Sequence, residues 1–232
     1  MYKRQVIWYQ GEGNSGRYQN YMKLMNGLIK NWRDEWGLGD FPFYFVQLAP
    51  NGSLGQGNGT SQAFLREAQL RTMLSVENTG MAVTLDIGST ITNHPPEKLL
   101  IGKRLAYWAL AKNYGFNSLP HSGPVYESMK VKNNKVYVNF KFAKNGVTSY
   151  GKPLSGFEIA GEDKIFYSAD ASIDPHWSAA WENRSVLTLS NKNVPNPLYI
   201  RYGWKNYLTP NFINKEGLPA SSFSSLINPF SQ

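Results

Sequence analysis

The spacing of apolar residues changes near Gly115, and this change divides the chain into two parts of different fold class. In the first part, short apolar runs typical of buried strands alternate with longer segments in which apolar residues recur every three or four positions, as in helices. The predicted strands are residues 6–9, 41–48 and 81–85, and the predicted helices are residues 18–36, residues 62–74 and the segment between Pro96 and Gly115. Strands that are each followed by a helix predict a parallel α/β sheet. The first strand is wholly apolar and is therefore expected inside that sheet.

Beyond Gly115 the apolar runs have the length and composition of strands rather than helices. Short runs rich in β-branched and aromatic residues are separated by turn signals such as Asn133-Asn134 and Asn145-Gly146. The runs are residues 125–126, 136–140, 157–159, 165–167, 186–189 and 198–202. We therefore expect an all-β, sandwich-like domain over residues 119–232, following an α/β domain over residues 6–118.

The loop between the third strand and the third helix carries the first candidate site residue, His94. In open α/β sheets, ligands and catalytic groups collect at the carboxyl ends of the strands, which is where this loop begins. A lone histidine is nevertheless more often structural than catalytic. Position alone therefore leaves both roles open for His94.

Three blocks follow one another in the first part: residues 7–14 (IWYQGEGN), residues 40–50 (DFPFYFVQLAP) and residues 86–115, which contain His94. Together with residues 156–161 and 201–204, they resemble the sialate O-acetylesterase-like (SASA-type) branch of the SGNH hydrolases. The resemblance implies a three-layer sheet of the SGNH type, of which this chain holds the C-terminal portion. It also implies a serine-esterase mechanism in which His94 is the general base and the side-chain amide of Gln10 helps to form the oxyanion hole.

The residue types on the Gln10 loop fit this implied role. A glutamine amide can donate a hydrogen bond to an oxyanion without carrying a charge that needs its own partner. The alternative for Gln10 is a loop side chain that caps backbone groups. Glu12 and Asn14 lie on the same loop, and we expect them to hold its shape or the start of the next helix rather than to react.

One neighbour of His94 departs from the family pattern. Many members carry Asp two residues before the histidine, and this chain has Thr92 there. Thr can accept a hydrogen bond from the imidazole N–H but cannot stabilise an imidazolium as a carboxylate does. Asp86, at the end of the third strand, or Glu97 could supply a carboxylate instead. For Asp86, capping of the loop is an equally good interpretation.

The serine nucleophile that the resemblance requires has no match in this chain. Family members keep it in a Gly-x-Ser block upstream of the Gln10 block, with a second oxyanion glycine between the two. Ser15 lacks the spacing of a nucleophile elbow, and Ser53, Ser61 and Ser89 are predicted loop residues without a partner. We therefore expect a half-site, and a fragment that is inactive by itself.

The first five residues resemble a product of sequencing-library preparation rather than native protein. Read in frame, GTG TAT AAG AGA CAG encodes residues 1–5 if GTG initiates, and this is the end of a transposon adapter used in sequencing libraries. We expect residues 1–5 to be non-native read-through and the reading frame to be truncated upstream.

Composition excludes several other kinds of site. The chain has no cysteine, which rules out disulfides, thiol nucleophiles and thiolate metal sites. The histidines, His94, His121 and His176, lack metal-ligand spacing. The family resemblance implies that no metal or organic cofactor is needed. The net charge of +8 is evenly spread, with twelve basic and eight acidic residues in each half, which argues against nucleic acid. No apolar segment is long enough to span a bilayer.

Two functions remain open on the sequence. The first is a carbohydrate O-acetylesterase that acts on an acetylated glycan or sialic acid and, as in the family, is periplasmic or secreted. The second is a non-catalytic glycan-binding protein whose β part and abundant aromatic residues, 14% of the chain, contact sugar rings. A Gly-x-Ser block upstream would favour the first function, and a true start at Met1 would favour the second.

Overall fold

A computed structural model describes residues 5–173 and 187–226 of the chain. The first part contains a parallel sheet in the order β1-β2-β3, formed by β1 (Val6–Trp8), β2 (Phe43–Val46) and β3 (Thr79–Ala82). The helices are α1 (Tyr21–Trp36), α2 (Ser61–Ser75) and α3 (Lys98–Asn113), with 3-10 helices at Glu12–Asn20 and Ser53–Gly55. The predicted alternation of strands and helices in a parallel sheet is confirmed.

The position of β1 differs from the sequence prediction. In the part of the chain that the structure describes, β2 is the central strand and β1 lies at the sheet edge. Ile7 is accordingly 61% exposed, whereas all four residues of β2 are buried. An apolar run is therefore necessary for an interior strand but does not by itself identify one.

The second part is built from antiparallel strands. One sheet has the order β4-β5-β10-β9, formed by β4 (Val125–Lys132), β5 (Lys135–Lys141), β10 (Leu187–Ser190) and β9 (Asp170–Ile173). The other has the order β13-β11-β7-β8, formed by β13 (Phe223–Ser224), β11 (Tyr199–Tyr202), β7 (Phe157–Ala160) and β8 (Tyr167–Ser168). A third pair joins β12 (Ile213–Asn214) to β6 (Val147–Thr148).

Most of the predicted β runs are confirmed as strands, and the Asn-Asn turn signal is confirmed by its geometry. Asn133 and Asn134 both have positive φ, 51° and 61°, and connect β4 to β5 as a tight hairpin. The sequence did not predict β6, β9, β12 and β13, three of which have only two residues. Val186 of the predicted run 186–189 lies outside the described residues, as do residues 1–4 and His176.

Buried side chains of the two four-stranded sheets share one core. Its members include Val136 and Leu187 from one sheet and Ile159 and Ile200 from the other, all with no exposed surface. Phe212 packs against this core, with its ring centroid 4.8 Å from that of Phe140. The same cluster of buried residues continues into the parallel sheet and its helices. The division into two domains at residues 118–119 stays a prediction.

Helix α2 forms the main polar contact between the two parts. The fully buried Arg66 donates from Nε to Ser222 Oγ over 2.9 Å and from a terminal nitrogen to the Gly203 carbonyl over 3.0 Å. Burial lowers the pKa of Arg66 to about 9. The next residue, Glu67, accepts a 3.2 Å hydrogen bond from the Ser224 N–H. These three hydrogen bonds join α2 to residues in or next to β11 and β13, and they offset the cost of burying the charged groups. None of the helices described is long and apolar enough to cross a membrane.

Candidate functional site

Parallel pairing of β1, β2 and β3 places the carboxyl ends of all three strands at one edge of the sheet. Gln10 follows β1 at this edge, and the loop that contains His94 follows β3. The two loops approach each other where Lys98 Nζ, in the first turn of α3, lies 5.2 Å from the ring centroid of Tyr9. The structure therefore brings the Gln10 loop next to the segment that follows His94.

The backbone of Gln10 is held by two helices. Its carbonyl accepts a 3.1 Å hydrogen bond from the Tyr21 hydroxyl of α1 and a 3.3 Å bond from Gln69 Nε2 of α2. Gln69 is fully buried, and its Oε1 accepts a 2.8 Å bond from the Leu48 N–H. A Cβ at Gly11 would lie 3.3 Å from Gln69 Nε2, so the glycine permits this close approach. The loop after β1 is thus fixed by the chain itself.

The side chain of Gln10 is also positioned. Its Nε2 donates a 2.6 Å hydrogen bond to Asn14 Oδ1, four residues along the same loop. An amide nitrogen carries two hydrogens, and no other described residue accepts from Gln10 Nε2, so the second N–H can donate to a further acceptor. The Glu12 carbonyl accepts a 2.9 Å bond from the Ser15 hydroxyl, which shapes the turn. Burial, and then the charge of Glu12, raise the pKa of Tyr9 to about 12, so this phenol stays protonated.

His94 is placed differently. Its side chain is exposed, and none of the hydrogen bonds of the described residues involves its imidazole ring. Thr92 Oγ1 accepts a 3.0 Å bond from the backbone N–H of His94. This contact fixes the turn before the histidine, as a threonine two residues upstream commonly does. In this structure Thr92 therefore contacts the histidine backbone rather than its ring.

Asp86 has a partner other than His94. Its two carboxylate oxygens accept hydrogen bonds of 2.7 and 2.6 Å from Arg104 of α3, and the same guanidinium donates a 2.7 Å bond to the Val83 carbonyl. Arg104 is 4% exposed and Asp86 29% exposed in their side chains. This doubly hydrogen-bonded ion pair connects the segment after β3 to α3. Asp86 is therefore the counter-ion of a buried arginine.

No described serine is hydrogen-bonded to His94. The Ser15 hydroxyl donates to a backbone carbonyl of its own loop, and the Ser89 hydroxyl accepts from the Ile91 N–H. The arrangement can therefore supply a base and a neutral hydrogen-bond donor at one sheet edge, without a paired nucleophile. Groups of three or more His, Cys, Asp or Glu side chains that could hold a metal ion do not occur among residues 5–173 and 187–226.

The sequence reasoning did not find three residues that support the site, namely Tyr21, Gln69 and Arg104. Each is a polar side chain on the buried face of a helix. Polar residues on the apolar face of a predicted helix could have identified them from the sequence. A buried polar side chain needs a partner and is seldom kept on such a face without one.

The chain is similar to known carbohydrate esterases. Residues 3–110 match the profile of the family described as "Carbohydrate esterase, sialic acid-specific acetylesterase". The chain is 30% identical to the human sialate O-acetylesterase, covering 96% of this chain and 46% of that protein. It is 29% identical to the mouse sialate O-acetylesterase, covering 87% of this chain and 39% of that protein.

A solved structure extends the similarity to the fold. The carbohydrate acetylesterase from Xanthomonas citri superposes with a TM-score of 0.85 at 34% identity, over 96% of this chain and 50% of that one. The present chain thus spans about half the length, or less, of the proteins that it matches.

Proposed function

Because this chain belongs to the sialate O-acetylesterase-like (SASA-type) branch of the SGNH hydrolases, we propose that it carries part of the active site of a carbohydrate O-acetylesterase. His94 acts as the general base and Gln10 donates to the oxyanion. The nucleophilic serine belongs to residues outside this chain, and residues 1–232 alone are inactive. The antiparallel sheets form a sandwich-like domain beside the catalytic part.

In the proposed reaction, His94 removes the proton of the serine hydroxyl as the serine oxygen attacks the acetyl carbonyl carbon. The carbonyl oxygen becomes an oxyanion, to which the free N–H of Gln10 donates. The carbon–oxygen bond to the sugar then breaks, and the sugar oxygen takes the proton from the imidazolium. A water molecule, deprotonated by His94, hydrolyses the acetyl-serine to acetate and regenerates the serine.

The arrangement of Gln10 is the observation that carries this proposal. Its backbone is fixed by Tyr21 and Gln69, one of its amide hydrogens is used by Asn14, and the other has no acceptor within residues 5–173 and 187–226. An oxyanion donor is effective only when it is already in place before charge develops, since reorganisation would otherwise add to the barrier. A fixed amide with one unused N–H meets that requirement at the sheet edge shared with the His94 loop.

The names of the relatives, sialate O-acetylesterase and carbohydrate acetylesterase, support a proposal for the substrate class. We propose an O-acetylated sugar, either sialic acid or a unit of another glycan, with water as the acyl acceptor. The scheme requires no metal or organic cofactor. A periplasmic or secreted location is part of the same proposal, because acetylated glycans are found at cell surfaces.

Labelling by a fluorophosphonate probe tests the proposal. Residues 1–232 and the longer protein that includes the upstream coding sequence are each incubated with the probe, and intact mass is measured. The longer protein should gain one probe per molecule and hydrolyse an aryl acetate, whereas residues 1–232 should do neither. Stoichiometric labelling of any serine within this chain would disprove the half-site and identify that serine as the nucleophile.

A further inference from the structure

A pocket that is not part of the candidate esterase site lies in the antiparallel part, between two neighbouring loops. One loop joins β7 to β8 and the other joins β10 to β11, and together they enclose about 350 Å³. The side chains that line it most directly are Glu162, Asp163, Tyr167, Asn193, Asn196 and Leu198. Pockets of this volume are within the range that holds small ligands.

The two loops are held in shape by their own hydrogen bonds. Asp163 Oδ1 accepts a 3.0 Å bond from the Ile165 N–H, which fixes the first loop. Asn191 accepts a 2.7 Å bond from the Asn193 N–H and donates a 2.7 Å bond to the Ser168 carbonyl, which joins the second loop to β8. A ligand therefore meets a formed pocket, and little conformational entropy is lost when it binds.

The lining offers an apolar surface and neutral polar groups together. Tyr167 is 36% exposed and Leu198 46% exposed, so a flat ring and an aliphatic side chain face the solvent. The side-chain amides of Asn193 and Asn196 are exposed and have no hydrogen-bond partner among the described residues. A sugar presents the matching chemistry, because its C–H face packs on an aromatic ring while its hydroxyls both donate to and accept from amides.

The acidic residues of the pocket favour neutral sugars over anionic ones. Glu162 and Asp163 are the charged lining residues, and both are acidic. Lys164 follows Asp163 but is not part of the lining, and its Nζ lies 5.9 Å from the ring centroid of Tyr199. An anionic sugar, such as a sialic acid or a uronic acid, would meet like charge here, which disfavours binding.

The pocket is also separate from the candidate esterase site. Its lining includes Leu198, just before β11, whereas the other end of that strand leads to Gly203, whose carbonyl contacts Arg66 of α2. We propose that this pocket is a binding site for a neutral sugar unit of a glycan. The choice of glycans as ligands rests on the proposed function, but binding at this pocket requires no hydrolysis.

Binding of oligosaccharides to the whole chain tests the proposal. The ¹⁵N-labelled protein is titrated with xylohexaose, cellohexaose and mannohexaose, and with sialyllactose and oligogalacturonate as anionic probes. At least one neutral oligosaccharide should shift the amide signals of residues 161–167 and 191–198 at millimolar concentration. Tyr167→Ala should weaken that binding by about tenfold or more, since a packed aromatic ring is lost.

Two further variants keep the outcome interpretable. Tyr167→Phe preserves the ring and should retain binding, and Tyr150→Ala removes a more exposed tyrosine outside the pocket and should leave binding unchanged. Thermal melting shows whether each variant is folded. Absence of binding by all neutral oligosaccharides, equal weakening by Tyr150→Ala, or tighter binding of the anionic probes would overturn the proposal. None of these results bears on serine labelling, so the esterase proposal is tested independently.

Discussion

The loops after β1 and β3 carry the two candidate catalytic residues, but the chain holds them to different degrees. Gln10 is bonded through its backbone to α1 and α2 and through its side chain to Asn14. His94 is bonded only through its backbone N–H, to Thr92, among the hydrogen bonds of the described residues. The same sheet edge thus combines a fixed amide with an exposed imidazole.

This difference in how firmly the two side chains are held fits the role proposed for each. A donor to an oxyanion must be in place beforehand, whereas a base must contact a nucleophile and then pass the proton to a leaving group. We infer that the imidazole of His94 acquires its orientation from partners beyond the described contacts, the serine among them. The two loops therefore predict different responses to substitution.

The largest expected effect is that of His94→Ala in the longer protein. Loss of the base should lower kcat for an aryl acetate by about three to six orders of magnitude, as expected when the base of a serine-hydrolase triad is removed. Because the His94 side chain makes no hydrogen bond within the described residues, the melting temperature should barely change.

Asn93→Ala is the matched control, since it truncates an exposed side chain of the same loop. It should keep kcat within about threefold of the parent, which is under about 1 kcal/mol in barrier height. Near-full activity of His94→Ala would show that another group is the base.

The next effect is that of Gln10→Ala, which removes the fixed donor. We expect kcat to fall by about a hundred- to a thousandfold with a smaller change in KM, because the donor acts mainly on the transition state. Gln19→Ala, on the exposed side of the following 3-10 helix, serves as the control and should be neutral. A loss confined to KM would mean that Gln10 binds the substrate without stabilising the oxyanion.

The sequence predicted the framework of this site better than its contacts. Strands and helices could be predicted because the spacing of apolar residues reports burial directly, and Gln10 and His94 could be placed by the blocks that contain them. The bond from Gln69 to Gln10 joins residues 59 positions apart and arises only when α2 packs beside the loop after β1. Likewise, the sequence could not show whether Asp86 pairs with Arg104 or lies beside His94, because this depends on how α3 packs.

Helix α2, which supports the Gln10 loop through Gln69, also carries Glu67, whose ionisation makes the stability of the fold dependent on pH. Burial raises the pKa of Glu67 to about 7 from 4.5, with opposing effects from the Ser224 N–H and from Arg71. Between these values the folded protein keeps a proton that the unfolded chain releases. Stability should therefore fall as pH rises from 4.5 to 7 and level off above it, by roughly 3 kcal/mol for this group.

Chemical unfolding at a series of pH values measures this dependence, and Glu67→Gln provides the comparison. The variant keeps a side-chain oxygen for the Ser224 N–H but cannot ionise, so its free energy of unfolding should decline less over the same range. Identical slopes for the parent and the variant would show that Glu67 does not titrate in this range.

The smallest expected effect is that of Thr92→Asp, which addresses the loosely held loop directly. Asp can replace the hydroxyl as acceptor for the His94 N–H, since Asp and Thr both make this bond two residues ahead. Its second carboxylate oxygen would then be available to the exposed imidazole. We expect kcat of the longer protein to be unchanged or raised by up to about threefold, a change of under about 1 kcal/mol in the barrier. Thr92→Val, which lacks any acceptor, should instead lower kcat modestly by loosening the turn. If Thr92→Asp were far less active than Thr92→Val, the added carboxylate would be harmful, and the imidazole would already be oriented by another group.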